Sequence, residues 1–212
     1  MAEELAEWLA ATPRFRSFVE LHRDKIRKKL RGAADPEARR DVGAELRTAR
    51  LLLEDRRFQL AFEAYGSGRT GPDFTVTFRG DRGFNLEVTR LRRIPDVAGY
   101  GGQLLAKLRQ LPPSVPNAVL LAIDAETVAG VDVESAVRGL RARADRKDED
   151  YFTHRGFEGT RDFYERFLRL SAVFVLGEAA GENDRASVWI NRSARIELPP
   201  RATRACLLSL RA

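Results

Sequence analysis

The chain has little of the residue types on which most metal cages and covalent mechanisms depend. Its 212 residues include one cysteine, Cys206, and two histidines, His22 and His154. A single cysteine excludes an internal disulfide framework and any cysteine-built zinc site. Two isolated histidines exclude a histidine-rich metal site and leave a poor basis for His-dependent catalysis. Long apolar runs are also missing, and none approaches the ~18–20 residues that a membrane-spanning helix needs. The opening residues, MAEELAEWLAAT, are acidic and lack the basic start of a secretory signal, so a cytoplasmic location is expected. Any chemistry must rest on carboxylates, hydroxyls, Lys and Arg.

Lysine is scarce too. Five Lys stand against 32 Arg. Such a bias accompanies GC-rich genomes and heat adaptation as well as phosphate binding, so by itself it selects no function. The net charge is +6 and the isoelectric point near 9.9. Residues 13–50 hold 12 Arg/Lys against 6 Asp/Glu, which equals the whole surplus. This is either a solvated helical face or an electrostatic footprint for an anionic partner, nucleic acid first. With 43% apolar and 32% charged residues, the composition fits a globular fold of one domain.

The pattern of apolar residues divides the chain. Thr12-Pro13 starts a helix carrying Phe15, Phe18, Val19, His22, Ile26 and Leu30 at helical spacing, and Gly32 stops it. Asp35-Pro36-Glu37 starts a second helix that runs to about Asp55, with Val42, Leu46, Ala49 and Leu53 as its apolar stripe. The period then changes. Strands are expected over 58–65, 72–78 and 84–91, the last two joined as a hairpin by Gly80-Asp81-Arg82-Gly83. A helix over 98–111 precedes NAVLLAID at 117–124, a run apolar enough for a strand buried on both faces. A helix over 131–146, a charged loop over 147–160, a helix over 161–170, strands over 172–176 and 186–190, and a helix over 201–210 complete the chain. Residues 1–33 read as a helical extension and 34–212 as one α/β domain with a mixed sheet flanked by helices.

The hairpin carries the chemistry. In Gly71-Pro72-Asp73-Phe74-Thr75-Val76, Phe74, Val76 and Phe78 share one face, and Asp73, Thr75 and Thr77 the other. In Asn85-Leu86-Glu87-Val88-Thr89-Arg90, Glu87 and Thr89 share a face. Folding at the turn brings Asp73 level with Glu87 to Thr89. Two adjacent carboxylates are costly unless a cation joins them or one takes a proton. Oxygen-only ligands select a hard cation, Mg²⁺ or Mn²⁺. On the helix before the strands, Glu45 lies beside the apolar stripe and Glu54 on the far side, so Glu45 is the helix acid aimed at the sheet.

A helix with an inward Glu, a strand, Pro-Asp opening the second strand and Glu-x-Lys on the third form the core of PD-(D/E)xK nucleases. This chain resembles that superfamily, which holds restriction endonucleases and Holliday-junction resolvases. The resemblance spans about 36–124 in the order αβββαβ and implies a restriction-endonuclease-like fold. It implies a divalent-metal-dependent nuclease that hydrolyses nucleic-acid phosphodiester bonds, with DNA ahead of RNA. Asp73, Glu87 and the carbonyl of Val88 look like the metal ligands, and Glu45 like the helix acid. One position departs: the motif lysine is Thr89, which brings no positive charge. Gln103 and Lys107, four apart on the next helix, offer the substitute, and Lys107 is the only lysine between Lys29 and Lys147. Thr89 and Gln103 would orient water or phosphate, and Arg90, Arg92 and Arg93 offer phosphate contacts. Thr89 also opens the alternative of an inactive nuclease-fold module that binds nucleic acid or protein. Many relatives pair to cut two strands, so the resemblance allows a homodimer.

Other features read as structural. Gly66-Ser67-Gly68-Arg69-Thr70-Gly71 spells GxGxxG, but a strand follows it where a dinucleotide fold needs a helix. His22, Trp8, Trp189 and Cys206 read as packing, and His154 as exposed. Asp148-Glu149-Asp150 reads as a solvated run, Asp124 as a strand end, and Asn85, Thr75 and Thr77 as solvent-facing.

Overall fold

A computed structural model of the chain describes residues 2–65, 71–81, 83–92, 97–124, 131–178 and 186–211. The helices are α1 (Ala2–Ala11), α2 (Pro13–Leu21), α3 (Arg23–Gly32), α4 (Pro36–Glu54), α5 (Val97–Leu108), α6 (Val133–Asp145), α7 (Glu149–Thr153), α8 (Thr160–Phe167) and α9 (Pro200–Ser209). The strands are β1 (Phe58–Phe62), β2 (Phe74–Phe78), β3 (Phe84–Leu91), β4 (Asn117–Asp124), β5 (Leu170–Glu178) and β6 (Ala186–Ile190). No described helix is long and apolar enough to cross a membrane.

The strands form one six-stranded mixed sheet in sequence order, β1 to β6. The pairs β1/β2, β2/β3 and β5/β6 are antiparallel, whereas β3/β4 and β4/β5 are parallel. From α4 to β4 the order is αβββαβ. The central strands carry their apolar runs between two layers. Ala118, Leu120 and Ala122 of β4 pack with Phe174, Phe74 and residues of α2, α3, α4 and α9. Val119, Leu121 and Ile123 pack on the other face with residues of α5, α6, α7 and α8. Period-2 alternation on a strand buried on both sides produces this split.

Residues 13–32 differ from the single helix expected. They form α2 and α3, separated at His22, whose ψ of 15° leaves the helical range. The kink seats the His22 ring against Phe18 and Phe62, with centroids 4.8 and 6.2 Å away. Phe15, Phe18 and Ile26 are buried in the same apolar cluster as the sheet residues Phe62 and Phe74. Helix α4 starts as its sequence requires, with Pro36 in the first turn and Asp35 Oδ1 accepting the Ala38 N–H at 2.7 Å. At its other end Arg14 of α2 donates to the Leu53 and Asp55 carbonyls at 2.7 and 2.8 Å. The Leu53 carbonyl is one of the acceptors that a helix C-terminus leaves without an intrahelical partner, and the Asp55 carbonyl also accepts the Phe58 N–H at 3.1 Å.

A second difference lies in the segment expected as a charged loop. It contains α7, which Asp148 caps by accepting the Tyr151 N–H, and which buries Phe152. Asp148 also pairs with Arg143 at 2.8 Å, and Glu149 accepts the Thr160 hydroxyl at 2.7 Å. The acidic run is therefore structural rather than merely solvated.

Candidate active site

The register of the hairpin sets the geometry. Phe74 pairs with Leu86 and Val76 with Phe84, so Asp73, one residue before β2, stands opposite Glu87. Asp73 and Glu87 are both buried, at 9% and 3% relative exposure. Asp73 does two things. Its Oδ2 accepts the Val88 backbone N–H at 2.9 Å, continuing the β2/β3 ladder past the end of β2. Its Oδ1 accepts from Lys29 Nζ at 2.9 Å. N–H and C=O of one strand residue face the same edge. The Val88 carbonyl therefore opens on the Asp73 side.

Three elements deliver carboxylates to Lys29. Its Nζ is 2.6 Å from Glu45 Oε2 on α4, 2.9 Å from Asp73 and 3.5 Å from Glu63 at the end of β1. Glu63 is held there by its N–H, which donates to the Asp73 carbonyl at 2.8 Å, and its φ is 44°. On the other side of the sheet, α5 brings Lys107 Nζ to 2.6 Å from Glu87 Oε1. Glu87 Oε2 is buried and has no hydrogen-bond partner among the described residues. A buried carboxylate oxygen without a donor is costly and fits a cation.

The electrostatics follow from burial and crowding. Burial and the Asp73 charge push Glu87 up to about 7, against the pull of Lys107. Burial and Asp73 also hold Glu45 well above the usual carboxylate range, against Lys29. Burial alone would lower the Lys29 ammonium, but Asp73 and Glu45 outweigh it and raise its pKa. Raised pKa values on buried carboxylates crowded around lysines mark this cluster as the candidate site of the described residues.

The remaining expected residues fall as follows. Glu45 is buried and turned inward as the helix stripe requires. Thr89 is half-buried two residues along β3 from Glu87, and Gln103 is exposed on α5. Arg90 is not open to phosphate: its side chain is bonded to Glu37 and, at 3.2 Å, to Asp41. Arg92 is paired with Asp41 at 2.6 Å. Both belong to an ion-pair network with α4. Asn85 is fully buried rather than solvent-facing, and its Nδ2 donates to Asn117 Oδ1 at 3.0 Å. Thr75 and Thr77 are half-buried. Cys206 is buried, and Trp189 Nε1 donates to Glu134. His154 is exposed. Arg93 and the glycine-rich loop 66–70 lie outside the described residues, as does the side chain of Asp124.

Two members of the cluster, Lys29 and Glu63, are absent from the sequence-based set. Lys29 had a legible signal: Phe15, Phe18, His22, Ile26, Lys29 and Ala33 step by three and four, so the lysine sits on the buried stripe. Glu63 had none, because its position depends on where β1 ends.

Among the described residues, no group of three or more His, Cys, Asp or Glu side chains is arranged to hold a metal ion as it stands. Lysine nitrogens stand between the acids. Comparison with protein-family models, curated proteins and solved structures finds no match.

Proposed function

We propose that this chain is a divalent-metal-dependent nuclease that hydrolyses nucleic-acid phosphodiester bonds, on a fold of the restriction-endonuclease-like kind. One observation carries the reading. Lys107 of α5 reaches Glu87 at 2.6 Å, so an ammonium from the next helix stands where Thr89 brings no charge. The order αβββαβ, the inward Glu45 and the pairing of Asp73 with Glu87 support it.

The donor set is all oxygen, which suits Mg²⁺ or Mn²⁺. Asp73, Glu87 and the Val88 carbonyl would hold the ion, and the unpartnered Glu87 Oε2 is the atom that most needs it. Such an ion, when bound, polarises a phosphate and lowers the pKa of water. The chain's own residues do the rest. Lys107 keeps positive charge beside the third-strand acid, where charge develops on the phosphate. Thr89 offers a hydroxyl on the same face to orient water or phosphate. Glu45 holds the carboxylate set from α4 and accepts a proton at its carboxyl. Gln103, exposed one turn before Lys107, would orient water or phosphate.

The test is direct. Purified chain is incubated with single- and double-stranded DNA and RNA in Mg²⁺, in Mn²⁺ and in EDTA. Cleavage is expected only with metal, and Glu87→Gln is expected to abolish it. No cleavage of any substrate, together with no heat on metal titration, overturns the reading. A second reading is favoured by Thr89 and by the neutralisation of the acids by lysines: a nuclease-fold module that binds without cutting. It predicts nucleic-acid affinity that survives Asp73→Ala and Glu87→Ala.

A further inference from the structure

Lys29 lies outside the αβββαβ segment, yet it makes the densest ionic contact in the cluster. Its ammonium touches Glu45 at 2.6 Å, Asp73 at 2.9 Å and Glu63 at 3.5 Å. Carboxylates from α4, β1 and the start of β2 thus converge on one nitrogen. Without a cation among them, these charges, of which Glu45 and Asp73 are buried, would repel at a cost that grows as the local dielectric falls.

We propose that Lys29 is a tethered counter-cation that competes with a divalent ion for these carboxylates, so that α3 sets how much metal the site requires. The inference rests on the metal-dependent reading above. Asp73 is common to both, as a ligand of the proposed ion and as the acid whose Oδ1 faces the ammonium, and two cations a few ångströms apart repel each other. Lysine is suited to leaving, because its charge rides on a flexible four-carbon stem. It also has somewhere to go. A cavity of about 500 Å³, lined by Lys25, Lys28, Glu45 and Glu63, adjoins it. Lys25 cannot take its place, since its ammonium already donates to the Phe62 and Glu63 carbonyls at 3.0 Å. Lys107 differs, because it occupies one oxygen of Glu87 and leaves Oε2 open. If Lys29 holds the acids about 90–99% of the time, apparent metal affinity falls about 10- to 100-fold.

The test is a calorimetric titration of MnCl₂ into the full chain, with folding followed by circular dichroism. Wild type is compared with Lys29→Met and Lys29→Gln. Both variants are expected to bind Mn²⁺ at least about tenfold tighter than wild type, and to gain more melting temperature from it. The Gln variant keeps a hydrogen-bond donor, so it carries the comparison where the Met variant does not fold without metal. If wild type binds Mn²⁺ and neither variant binds it tighter, this inference falls and the nuclease reading stands. If no form binds Mn²⁺, both fall.

Discussion

Lys107 Nζ of α5 meets Glu87 Oε1 of β3 at 2.6 Å, between residues 20 positions apart in the chain. The pair is mostly shielded, with side-chain exposures of 21% and 4%. Removing the ammonium leaves a buried carboxylate unpaired, which costs about 3–5 kcal/mol in comparable pairs. Lys107→Met is therefore expected to lower stability in urea by roughly that amount, and the double variant with Glu87→Gln to recover most of it. For cleavage, loss of a charge-stabilising donor predicts a fall in kcat of about 10²–10³. Single-turnover rates of the folded variant measure it.

The pH dependence of the metal-free chain has a defined sign. Glu87 is pushed up to about 7 from an ordinary value of 4.5. The folded chain thus holds this proton more tightly than the unfolded one. The resulting stabilisation is complete below about pH 4.5 and is lost as pH rises through about 7. Glu45, also raised, acts in the same direction. Between pH 5 and 8 in EDTA, wild type is expected to lose melting temperature relative to Glu87→Gln. Parallel melting curves across that range contradict the assignment.

Asn117 is the structural counterpart of the site acids. It is fully buried, and its Nδ2 donates to the Pro112, Val115 and Arg169 carbonyls, while its Oδ1 accepts from Asn85. Asn117→Ala strands several buried polar groups at about 1–3 kcal/mol each. Urea unfolding should show a loss of about 3 kcal/mol or more, with no direct loss of a reacting group.

The basic stretch 13–50 divides into used and unused charge. Arg14 and Lys25 serve backbone carbonyls, and Lys29 serves carboxylates. Arg16, Arg27 and Lys28 are exposed. If these residues meet phosphates, Arg27→Ala with Lys28→Ala reduces the slope of log affinity against log salt by about 1.8 on duplex DNA. Fluorescence anisotropy at several salt concentrations reads it, and an unchanged slope removes α3 from the interface.

Much of the fold was legible because its signals are local. Alternation over Phe74, Val76 and Phe78, and the apolar run 117–124, placed β2, β3 and β4 within a residue or two. The same alternation put Asp73 level with Glu87, helical spacing turned Glu45 inward, and the nuclease resemblance singled out Lys107 on the next helix. What was not legible depends on distant packing. Residues 1–33, set apart as an extension, contribute Lys29 because α3 folds back over the end of β1. Asn85 looked solvent-facing because its polarity hid a bond to Asn117, 32 residues on. Arg90 and Arg92 looked free because their acids, Glu37 and Asp41, lie on α4. Helix α7 was hidden in a charged run, and its one buried residue is Phe152.

The bond from the Val88 N–H to Asp73 Oδ2 has a spectroscopic consequence. In a regular ladder that proton would face a carbonyl of fixed character. Here it faces a carboxylate whose charge is shared with Lys29. Its resonance position and its rate of exchange with deuterium therefore respond to the cation that Asp73 holds. One backbone proton becomes an internal gauge of what occupies the acids, readable in solution without substrate, label or catalytic turnover.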